Sequence, residues 1–93
     1  MFALAELTPA VEFRAGMAAN EDLEAAASLF ERAADELELA ARHSRTAAGH
    51  MRDREIPHGA AHAWAAHGHV LRAGELLDEQ ARVHARKSNP EPG

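Results

Sequence analysis

The 93-residue chain reads as all-α: a long antiparallel two-helix hairpin with an N-terminal arm, completed to a four-helix bundle by dimerisation or by docking on a partner. Three observations predict this. Alanine fills 23 positions, the best helix former in number. Only six residues are β-branched and none is tyrosine, so a pleated sheet would lack the residues that cover it. Two apolar stripes at heptad-like spacing flank Pro57, which suits the start of a helix and breaks the interior of one.

Residues 1–19 read as an arm with room for one short helix. Thr8-Pro9 resembles an N-cap followed by proline at the first helical position, and Gly16 weakens any helix that runs through it. Phe2, Leu4, Leu7, Val11 and Phe13 give the arm apolar side chains that would clamp a neighbour. The hairpin proper spans 20–88. Its first helix is expected over about 21–53, opened by Asn20 as N-cap with Glu21, Asp22 and Glu24 in the first turn. An apolar seam runs Leu23, Ala27, Phe30, Ala34, Leu37, Ala41, Ser44, Ala48, Met51. Acids crowd the first half, and Arg42, Arg45, Arg52 and Arg54 close the second, matching the helix dipole. The second helix is expected over about 57–87, with a seam of Ile56, Ala60, Ala63, His67, Val70, Gly74, Leu77, Ala81 and His84; Gly74 is a candidate break. Residues 89–93, with two prolines, read as a disordered tail.

Trp64, Leu71, Leu76 and Val83 lie off the seam of the second helix. A second apolar face needs a second partner, so these residues, with Phe30 and Leu37, are the expected interface. The function this implies is that of a small interaction protein or accessory subunit, a homodimer or a subunit of a larger protein complex, and not an enzyme. Ser28, Ser44, Ser88, Thr8 and Thr46 sit in no nucleophile motif, and no glycine-rich phosphate loop occurs. The net charge of −5 argues against nucleic acid as partner. No apolar run approaches the ~20 residues of a membrane span, and Glu6 interrupts Met1–Ala5 with no basic residue before it. The absence of cysteine excludes a disulfide scaffold and fits a cytoplasmic setting.

Seven histidines are the unusual feature, six of them between 43 and 69. A turn near 54–56 would set His43 opposite His67, and His50 opposite Ala60 and His62. His58, His62 and His69 share one stripe of the second helix, and His58/His62 has the i, i+4 spacing of metal ligands. Glu55-Ile-Pro-His58 is a Glu-x-x-His, the motif of carboxylate-iron bundles. In length, hairpin layout and this motif the chain resembles the encapsulated ferritins, whose iron site forms between protomers. That resemblance implies the alternative function, a His/carboxylate bundle. Its metal, iron or zinc, would be held by Glu55, His58, His62 and His69, where otherwise no cofactor is expected. Pro57 inside the motif and a turn that offers only Asp53 and Glu55 as carboxylates depart from the pattern.

Trp64, Gly68 and Leu71 also resemble the first helix of a tetratricopeptide unit, but His67 replaces an expected leucine and no second copy occurs. The hairpin is similar in length to the Trp-x-Gly substrates of type VII secretion. Trp64-Ala-Ala-His-Gly68 lies on a helix rather than in the turn, and the tyrosine of their tail motif is absent.

Overall fold

The structure, a computed structural model, describes residues 9–88 and Pro90, with side chains from Ala19 onward. It consists of two helices, α1 (Pro9–Arg52) and α2 (Ile56–Lys87), and the described residues hold no strand. The expected all-helical hairpin is what the chain forms. Residues 1–8 of the arm and residues 89 and 91–93 of the tail lie outside the described residues.

α1 starts at Pro9, so Asn20 sits inside a helix instead of opening one. Gly16 costs about 1 kcal/mol in a helix interior. The neighbouring Ala15, Met17, Ala18 and Ala19 are strong helix formers and offset it. At the far end Lys87 of α2 bonds Asp22 of α1 at 2.5 Å. α1 therefore continues past the end of α2 from Asp22 back to Pro9, about 20 Å at 1.5 Å per residue. α2 runs unbroken through Gly74.

Three residues turn the chain. The Glu55 amide donates to the His50 carbonyl at 2.8 Å and the Arg54 amide to the Met51 carbonyl at 3.0 Å. This is the paired bonding of a Schellman cap, with Arg54 at φ 62° where glycine is usual. Glu55 caps α2 and Pro57 occupies its first turn. Because the turn folds tightly back on α1, pairing between helices begins at His50 and Glu55.

The seam between the helices repeats every seven residues. Ala33, Ala40 and Ala47 of α1 are buried, as are Gly59, Ala66 and Ala73 of α2. These small residues take heptad position a and let the helices approach closely. At Gly59 even a methyl group would stand 2.8 Å from the Met51 Cε. The alternate position, d, holds Leu29, Glu36, His43 and His50 on α1, and Glu55, His62, His69 and Leu76 on α2. Among the described residues Leu76 is the largest buried side chain, packed with Ala33, Ala73 and Leu29. Its expected place in the outer interface is therefore corrected: Leu76 belongs to the hairpin's own core.

The expected seam is corrected as well. Leu23, Phe30, Leu37 and Met51 of α1, and Ile56, Val70 and Leu77 of α2, are all exposed. They occupy position e, one step around each helix from the buried alanines. His67 and His84, also placed on the seam, are exposed. The reason lies in two parallel heptad stripes. The stripe with larger side chains has the stronger apolar signal, but the stripe of alanines permits the tighter contact.

Positions c and g of both helices come together on the other edge of the hairpin. There Ala25, Ser28, Arg32, Arg72, Glu75, Glu79 and Arg82 line one shallow groove with Leu29 and Leu76. Arg72 pairs with Glu75 at 2.9 Å and Arg82 with Glu79 at 3.8 Å. If g faces g across an antiparallel pair, e must face e on the opposite edge. The hairpin thus has a charged edge and an apolar edge.

The molecule is long and flat, 78 × 28 × 13 Å, with a radius of gyration of 22.1 Å against about 13 Å for a compact chain of 100 residues. It exposes 7305 Å² of surface, where a compact monomer of this size exposes ~5,200 Å².

Candidate functional site

The seam holds leucines at one end and histidines at the other. Moving from Leu29 and Leu76 toward the turn, the facing d positions become Glu36 with His69, His43 with His62, and His50 with Glu55. Each step is seven residues on both helices, so the pairs form rungs. The His69 Nδ1 donates to Glu36 Oε2 at 2.6 Å. His43 Nδ1 and His62 Nδ1 face each other at 3.0 Å, one donating and one accepting. His50 Nδ1 donates to Glu55 Oε1 at 3.3 Å.

The rungs also touch along the seam. His69 stacks on His43 with centroids 5.4 Å apart and planes at 13°. His43 meets His62 at 5.2 Å. His62 stacks on His50 at 5.4 Å and 12°, and His50 meets His58 at 5.3 Å. Five imidazoles therefore form one continuous column between Glu36 and Glu55. None of its polar atoms is buried without a partner among the described residues.

At the turn the column ends in a cluster of His50, Glu55 and His58, whose ligand atoms lie within 4.8 Å of one another. His58 Nδ1 is 3.5 Å from Glu55 Oε2. The hydrogen bond from His50, then that from His58, hold the Glu55 carboxyl below its ordinary range. Pro57 does not spoil the Glu-x-x-His contact: Glu55 is the N-cap just outside α2, and its carboxylate still reaches His58.

Of the four residues expected to share one metal, Glu55 and His58 come together, while His62 pairs with His43 and His69 with Glu36. His50 joins the cluster from α1 and was not among the expected ligands. Its signal was the seven-residue step from His43 on the same seam. The expected facing of His43 with His67 is corrected to His43 with His62; His67 lies outside, its ring edge against Trp64 at 6.1 Å. His50 does meet His62, as expected, through ring stacking.

The residues expected at an interface divide. Trp64 is 74% exposed, and Leu71, Phe30 and Leu37 are about half exposed, while Val83 is half-buried in the seam. Nine large apolar residues are exposed among the described residues; seven hold position e and two, Trp64 and Leu71, the adjoining position f of α2. No described helix is long and apolar enough to cross a membrane. No family model, no curated protein and no solved structure matches the chain.

Proposed function

We propose that the chain is a non-catalytic helical interaction module that pairs with a second copy of itself through its apolar edge, closing a four-helix bundle. The observation that carries this reading is the concentration of nine exposed large apolar residues on one face. At roughly half exposure and about 200 Å² per large side chain, they offer on the order of 1,000 Å². A stable interface of standard size buries about 800 Å² per partner. A two-fold axis lets the same face serve on both copies.

Single-cysteine probes test it, since the chain has no cysteine of its own. A thiol at Leu37→Cys should alkylate slowly at high protein concentration and faster on dilution. One at Ser28→Cys, on the charged edge, should react fast at every concentration. Equal rates at the two sites would refute self-pairing through this face, and protection only with a second polypeptide would make the chain an accessory subunit.

The cluster of His50, Glu55 and His58 supports a second reading, a single bound metal at the turn. Two imidazoles and one carboxylate are the donor set of mononuclear zinc and iron centres. The cluster brings one carboxylate, whereas a two-iron bundle site uses four. One zinc or iron per chain, lost in Glu55→Gln with His58→Ala, is the expected stoichiometry. Equal metal content in that variant would refute it.

A further inference from the structure

We propose that His43 and His62 form a second site, a chelating pair for a divalent transition metal that clamps α1 to α2 in the middle of the hairpin. Neither the apolar edge nor the turn cluster contributes a residue to it.

The seam calls for apolar side chains, and Leu29 with Leu76 supplies them at the outer end. The His43–His62 rung replaces that pair with two imidazoles whose Nδ1 atoms face at 3.0 Å. In the metal-free rung one Nδ1 carries the proton and the other accepts it; with both rings as Nε2–H tautomers, both Nδ1 lone pairs are free to bind one metal. Tetrahedral zinc with bonds of about 2.0–2.1 Å sets its nitrogens ~3.4 Å apart. The rung must widen by only about 0.4 Å, and water can complete the coordination. Both rings are already oriented, His43 by the stack with His69 and His62 by the stack with His50. Fixed rotamers are what a metal site requires of its ligands.

The energetic setting favours such a clamp. Among the described residues Leu76 is the one large side chain that is buried, and the turn half of the seam contains no leucine or other large aliphatic residue at its d positions. The chain has no cysteine for a disulfide. Small scaffolds with thin cores rely on disulfides, metals or oligomerisation. A metal on His43 and His62 joins residues nineteen apart in sequence across the seam. The ligand class is a borderline dication such as zinc, nickel or copper, which imidazole suits, rather than calcium or magnesium.

The test uses the full chain, stripped by chelator, with zinc as the probe and thermal unfolding as the readout. Glu55→Gln with His58→Ala removes the turn cluster. In that background zinc at about 100 times its dissociation constant should still raise the folding equilibrium constant ~100-fold. Adding His43→Leu and His62→Leu should abolish the zinc effect. Those leucines imitate the Leu29–Leu76 rung, so the variant keeps a folded seam and its metal-free midpoint should not fall. A zinc-dependent shift that survives in the leucine variant would overturn the proposal. So would its disappearance on Glu55→Gln with His58→Ala alone, which would leave the turn as the metal site. Sedimentation of the same samples reports self-association separately, so failure of one idea does not mask the other.

Discussion

Phe30 is 51% exposed on the apolar edge of α1. If a second hairpin covers it, about 100 Å² of aromatic surface leaves water, taking ~200 Å² for the whole side chain. At ~25 cal/mol per Å² this contributes about 2.5 kcal/mol per copy. In a two-fold pair the residue occurs twice, so Phe30→Glu removes about 5 kcal/mol before the cost of burying the new carboxylates. The dimer dissociation constant should therefore rise roughly 10³–10⁴-fold. Sedimentation velocity over a concentration series measures this directly. Ser28→Glu, on the charged groove, is the control and should leave the constant within a few-fold. A Phe30→Glu chain that pairs within tenfold of the unaltered one would refute the assignment of this edge as the interface.

Other residues carry their own expected outcomes. Arg54→Gly removes a side chain from φ 62°, where L-residues are strained, and should stabilise the hairpin by about 1 kcal/mol in urea unfolding. An unchanged or lower midpoint would contradict the turn geometry. Gly74→Ala places a methyl group in open space within a continuous helix and should add about 0.8–1.0 kcal/mol. Destabilisation there would mean that α2 bends or packs at Gly74. Glu55, held below its ordinary value of 4.5, contributes stability that is present above that value and lost as pH falls through the folded one. In chelator-treated protein, the stability gap between the unaltered chain and Glu55→Gln should shrink as pH falls below 4.5. A gap constant from neutral pH into the acid range would contradict the His50 and His58 contacts.

Much of the fold was legible in the sequence. Pro57 marked the start of α2 within one residue of Ile56, and the bases from Arg42 to Arg54 marked the end of α1, expected at about residue 53 and found at Arg52. Thr8-Pro9 marked a helix start, and α1 does begin at Pro9, but its continuity was not legible, because Asn20 and Gly16 both look like boundaries while alanine on either side keeps the backbone helical. The packed face was misread for a physical reason. Hydrophobic periodicity favours the largest side chains, Leu23, Phe30 and Leu37, whereas the contact between helices is made by Ala33, Ala40 and Ala47. Register depended on Arg54, which adopts a backbone conformation normally announced by glycine. Pairing consequently begins at His50 with Glu55, and His43 meets His62 instead of His67. The concentration of histidines near the turn was visible; their ordering into rungs required the register.

Self-pairing through the apolar edge is tested most directly by the mass of the unaltered chain in solution. Sedimentation equilibrium of chelator-treated protein across the micromolar range should give twice the mass of one chain, falling toward one chain on dilution, with helicity falling alongside. A single-chain mass at every concentration, with full helicity and a cooperative unfolding transition, would contradict it. The apolar edge would then be a surface that this hairpin carries without covering it.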